Sequence, residues 1–229
     1  MILSIFKIDD VSKPNVLNWY YISEYQKLSE EFIEKFQDKV DWYCISVYQK
    51  LSEEFITKFQ YKVHWSYISQ FQKLSEEFIE KFQDKLNWTY ISKYQKLSEE
   101  FIIKFNLTIP ENSWLYKSVE WKKEYLKANT KYEILDDKII AYKSTRLDGY
   151  SVFNYQYKYE VGNEYTCHAD YNPKNENSFG LSAWTKEGAL SYYNRGELYE
   201  VEIRIEDVAA VVHENEKIRA SKIKVIKKL

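Results

Sequence analysis

Glu200 and Glu202 alternate with Tyr199, Val201 and Ile203, so a strand carrying them turns both carboxylates to one face. Such a pair can run acid–base chemistry, one carboxyl holding a proton while the other is ionised. A solvated sheet face accounts for the same spacing more simply. Cys167, His168 and Asp170 offer thiolate, imidazole and carboxylate, which are metal donors. Neighbours on one strand point to opposite faces, however, so His168 is expected at a strand edge and not in a metal site. The chain has no glycine-rich phosphate loop, no His-Glu-x-x-His helix, no nucleophile elbow and no Cys-x-x-Cys pair. The expectation is no catalytic residue, no metal and no cofactor.

The elements that would carry these residues fall into two regions. Trp19, Trp42, Trp65 and Trp88 recur every 23 residues, and WYYISEYQKLSEEFIEKFQDKVD is repeated three more times with few changes. A fixed period of that length signals stacked repeats. Within each, Asn18, Asp41 or Asn87 can cap a short first helix, with His64 as the weak cap. Ser29, Ser52, Ser75 and Ser98 can cap a second helix, with a Glu-Glu pair in its first turn. Phe32, Ile33, Phe36 and Val40 make one face of it. Helices of about 8 and 11 residues are too short to stand alone, so neighbour contacts must decide stability.

All five glycines lie between residues 149 and 196, where the composition changes. ENSWLYKSVEWKKEYLKAN, after Pro110, suits an atypical closing repeat. From Tyr132 onward, strand-like alternation surrounds one helix in TKEGALSYY. The predicted fold is mixed: an all-α solenoid of 23-residue two-helix repeats, residues 1–129 with caps and core repeats 19–106, followed by a small α+β domain, residues 130–229. The last stretch, KIRASKIKVIKKL, places six cations among apolar residues, and an edge strand guarded by lysines is the expected meaning.

Copies that differ show which positions the array tolerates changing. On the first helix these are Tyr20/Glu24, Tyr43/Val47, Ser66/Gln70 and Thr89/Lys93, four apart and so on one face. Their chemistry runs from aromatic and acidic to polar to basic, which suits recognition of a protein partner. On the second helix Glu34/Asp38, Thr57/Tyr61 and Glu80/Asp84 give way to Ile103 and Leu107. That apolar pair is expected to be buried as the junction with the C-terminal domain.

The net charge is −2 and balanced along the chain, and all four arginines come after residue 145, so neither nucleic acid nor anionic lipid is expected as a partner. Two distant cysteines fit a reducing compartment. MILSIFKIDD is too short and acidic for a signal peptide, and no apolar run approaches a membrane span.

The motif WxYISxYQKLSEEFIxKFQDKVxW over 19–106, with YKSTRLDGYSVFNYQYKYEVGNEY and SFGLSAWTKEGALSYY over most of 142–193, resembles repeat proteins encoded by mimivirus-type giant viruses. That resemblance implies a viral protein in the host cell cytoplasm, or in the virion as a structural component, with a repeat array ahead of a terminal domain. AYKST, the later SFGLSAWTKEGALSYY and a YEVEI strand are also similar to the strand order of ADP-ribosyltransferase-like domains. There Lys143, Ser182 and Glu200 or Glu202 would stand at the NAD-holding positions, Lys143 replacing the family's His or Arg. The expected function is protein–protein interaction without catalysis, through the first-helix stripe, with an NAD-using C-terminal domain as the alternative.

Overall fold

The computed structural model describes residues 18–229, and the opening MILSIFKIDD stretch and N-terminal cap lie outside the described residues. The chain forms two compact units, which meet in sequence between His64 and Trp65.

The first unit holds two repeats: helices α1 (Trp19–Tyr25), α2 (Glu30–Lys35), α3 (Trp42–Tyr48) and α4 (Glu53–Lys58). Asn18 and Asp41 cap the first helices, accepting from the amides of Tyr21 and Cys44, and Ser29 and Ser52 cap the second, accepting from Phe32 and Phe55. The second helices end after six residues, short of the expected length, because the chain tightens at Phe36 and Phe59 into turns where Lys39 and Lys62 donate to the Phe carbonyls. Trp42 packs on Phe55 and Phe59 with ring centroids 6.3 and 5.1 Å away, and Ile33, Ile45 and Ile56 are fully buried.

Polar bonds lock one repeat to the next. Gln49 donates from Nε2 to the carbonyls of Ser23 and Gln26 at 2.8 Å each, and its Oε1 accepts from the Leu28 amide at 3.0 Å. The Asp41 amide donates to Ser23 Oγ at 3.0 Å, and Glu30 accepts from both the amide and hydroxyl of Ser52. Burying these backbone groups unpaired would cost about 1–3 kcal/mol each, so Gln and Ser recur for bonding and not for hydropathy.

The second unit opens with two more repeats, α5 (Trp65–Phe71), α6 (Glu76–Lys81), α7 (Trp88–Tyr94) and α8 (Glu99–Lys104). The locks return: Gln95 donates to Ser69 and Gln72 carbonyls at 3.0 and 2.8 Å and accepts from Leu74, and Asn87 donates to Ser69 Oγ at 2.9 Å. After α8 the lettering fails and the bonding is taken over by a different residue. In the 3-10 turn Trp114–Tyr116, the Tyr116 hydroxyl accepts from the Leu97 amide at 3.1 Å and donates to the Gln95 carbonyl at 3.3 Å, the part a glutamine plays elsewhere. Helix α9 (Val119–Asn129) comes next, and buried Lys122 donates to the Val208 and Glu206 carbonyls at 2.6 and 3.1 Å.

An antiparallel sheet completes the unit: β1 (Glu133–Leu135), β2 (Lys138–Thr145), β3 (Glu164–Thr166), β4 (Leu181–Trp184), β5 (Glu197–Arg204), β6 (Val208–Val212), β7 (Lys217–Ala220) and β8 (Lys222–Lys228). Their order is β3-β8-β5-β2-β4-β7-β6, with β1 also paired to β2. Ile139, Ala141, Val201, Ile203, Ile218 and Val225 point into one core, while helix α10 (Lys186–Tyr192) covers the other side of β2, where Ser144 donates to the Ala189 carbonyl at 2.6 Å. KIRASKIKVIKKL is therefore two strands and not one guarded edge: β7 lies between β4 and β6, and β8 between β5 and the short β3. Two of its cations, Lys217 and Arg219, are buried.

The boundary expected at residue 129 falls inside the second unit. Repeats three and four belong with the sheet because Phe179, from the loop before β4, wedges against Phe71 and Tyr94 with ring centroids at 4.9 and 5.3 Å. The Trp114 amide also donates to the Tyr171 carbonyl at 2.9 Å.

Candidate protein-interaction surface

Helices α1 and α3 carry the variable first-helix positions of the first unit. Tyr20 is 46% exposed, Tyr43 40% and Tyr48 39%, with Glu24 and Val47 half-buried beside them. Position 20 also reaches along the array: the Tyr20 hydroxyl meets the Cys44 thiol of the next repeat and bonds Glu24. The nearby Cys44 and Glu24 groups push the Tyr20 hydroxyl up to about 12. Burial, then Asp41, pushes the Cys44 thiol up to about 12. Burial and Glu24 do the same to Tyr48. At neutral pH the phenols and the thiol are uncharged, and Cys44 is no nucleophile, since the thiolate is the reactive form. This face offers rigid aromatic area with one carboxylate set among it.

In the second unit the same stripe is Ser66, exposed, with Gln70 half-buried, then Thr89 and Lys93, both exposed. Thr89 and Lys93 line a groove of about 440 Å³ with Trp88, Ser92, Leu107 and Pro110.

Ile103 and Leu107 do not form the expected junction. Ile103 is 70% exposed, and Leu107 is half-buried in that groove. The acids of this stripe elsewhere pair with a lysine of the next repeat: Glu34 with Lys58 at 2.5 Å, Asp38 with Lys62 at 2.9 Å and Glu80 with Lys104 at 2.7 Å. The repeat lettering stops after α8, so the change to apolar letters marks the end of the array.

Lys143, Ser182 and Glu200 are separated by strand alternation. Lys143 pairs with Tyr199 and shares its buried face, whereas Glu200 pairs with Tyr142 on the opposite face, the one that Trp184 and Ser182 share. Buried Lys143 donates to the Ser182 backbone carbonyl at 2.7 Å and lies 4.8 Å above the Tyr159 ring; burial and then Lys217 bring its ammonium down to about 8. Glu202 pairs with Lys138 at 3.0 Å.

Cys167, His168 and Asp170 come after β3 instead of lying on it, and they do not converge. Among the described residues no group of three His, Cys, Asp or Glu could hold a metal ion. Asp170 accepts from the Asn172 amide and Asn175 Nδ2, beside Arg219 at 3.8 Å. His168 stacks on Phe179, and burial, then Lys73, holds it down at about 4. Sequence reasoning missed Arg219, fully buried and bonded to the carbonyls of Asp170, Asn172, Asn175 and Glu176. The fold makes room for it at Gly180, with φ at +137°, where an added Cβ would come within 2.5 Å of Arg219 Cγ.

The chain matches no protein-family model, no curated protein and no solved structure. Among the described residues no helix is long and apolar enough to cross a membrane.

Proposed function

We propose that the helical repeats form an α-solenoid whose first-helix face binds a protein partner without catalysis. One observation carries this reading: Tyr20, Tyr43 and Tyr48 stand partly exposed in a row on two short helices, fixed by caps and inter-repeat bonds. Tyrosine gives large contact area at low entropic cost, and preordered aromatics are the commonest anchors of interfaces. With Glu24 among them, the surface suits a segment presenting Lys or Arg, held by ring faces and the carboxylate together. The giant-virus resemblance supports a host or viral protein in the host cytoplasm as that partner.

The test is affinity capture from host cells and then titration of the captured protein with purified chain. Replacing Tyr20 and Tyr43 with alanine is expected to weaken binding by about a hundredfold, as for loss of two interface anchors. Equal affinity in a variant with unchanged circular dichroism would overturn the reading.

A further inference from the structure

Each repeat that precedes another inside its unit receives it in the same way. Ser23 takes the Asp41 amide at 3.0 Å, and Ser69 takes the Asn87 amide at 2.9 Å, the donor standing 18 residues after the serine each time. Eighteen residues after Ser92 stands Pro110, which has no N–H to give. Ser69 takes that amide while its own hydroxyl donates to the Trp65 carbonyl at 2.7 Å; the Ser92 hydroxyl donates in a similar way to the Thr89 carbonyl at 3.2 Å and borders the open groove.

Trp88 lacks its cover in a parallel way. Lys39, Lys62 and Lys85 lie 5.7, 5.8 and 5.3 Å over Trp19, Trp42 and Trp65, whereas the matching position for Trp88 is Thr108. The part of α7 that borders the groove, at Trp88, Thr89, Ser92 and Lys93, is thus left open.

Among the described residues the opposite face is also uncovered on α1. Tyr21 is 59% exposed, while Cys44, at its position in the second repeat, is fully buried against α1. We propose that the chain associates head to tail with a second copy of itself, the first turn of α1 in one molecule seating in the groove of α7 and Pro110 in the other. The Asn18 amide takes the place on Ser92 Oγ that the Asn87 amide holds on Ser69, and Asn precedes the tryptophan in both helices. Lys93 then meets the exposed Tyr21 ring, as a cation facing an aromatic. Tyr116 already holds the Gln95 carbonyl and Leu97 amide, so contact is confined to the first turn and the association is weak. It continues a serine–amide contact that Ser23, Ser46 and Ser69 each make within the chain, and its two faces differ, so it adds copies in one direction.

Sedimentation velocity over a broad concentration range tests this. Wild type should show concentration-dependent association, weakened about tenfold or more by Ser92→Arg on the groove and equally by Tyr21→Arg on the helix. Mixing the two variants should restore a discrete heterodimer, because one sound groove and one sound helix remain. A wild type that stays monomeric overturns the proposal and leaves the groove to some other protein. Association that survives either substitution, or a mixture that forms no dimer while both variants keep wild-type circular dichroism, also overturns it.

Discussion

Gln49 in the first unit and Gln95 in the second each close three backbone groups of a preceding repeat, and Ser23 and Ser69 each take one more. In the sheet region Arg219 alone gathers four carbonyls of the loop before β4. The repeats spend polarity in small, duplicated amounts, so one loss leaves the other copies standing. The sheet concentrates it in a single buried guanidinium with no second copy. Local redundancy and single-point dependence therefore coexist in one chain.

Breaking the single point should cost most. Arg219→Met leaves Asp170 buried without its cation and four carbonyls without a donor, and a loss of about 4 kcal/mol in urea unfolding is expected. Acid should strike the same loop next. His168 is held near 4 in the folded chain against an ordinary 6.5, so the unfolded chain takes up the proton first as pH falls. Stability is then flat above about pH 6.5 and falls by about 3 kcal/mol toward pH 4. Lys73 and Asp170 are the charged groups facing the ring, and His168→Phe, which keeps the stacking on Phe179, should remove most of that slope.

Gln95→Leu should cost less, about 2 kcal/mol, because the Leu74 amide and two carbonyls lose a partner in only one of the repeat contacts. The smallest effect belongs to the exposed ion pairs. Lys58→Ala, which breaks the pair with Glu34, should change stability by less than about 1 kcal/mol. A large loss there and a small one at Arg219 would reverse the contrast between the two regions.

The tryptophan period and the Ser caps were legible because periodicity and capping are local, and they led to eight short helices ahead of an antiparallel sheet. The second helices came out shorter than their apolar spacing suggested, since Phe36 and Val40 continue the same buried face through a turn that is not helical. Ile103 misled because an apolar letter among acids suggests burial, whereas the side chain is 70% exposed at the end of the array. Arg219 was hidden among lysines in a basic tail, and only the folded loop shows that its charge faces inward. The surface residues Tyr20, Tyr43 and Lys93 stand out when copies are compared; that Tyr20 also touches Cys44 needed the three-dimensional register.

Pro110 has a bearing on how this gene can change. Because the Ser and Gln bonds reach one period back and no further, slippage that inserts whole 23-residue units ahead of the proline brings every new donor with its acceptor. The proline then acts as a full stop whose position is indifferent to the length of the sentence, so variants of this chain can lengthen at the front while the sheet region keeps its letters unchanged.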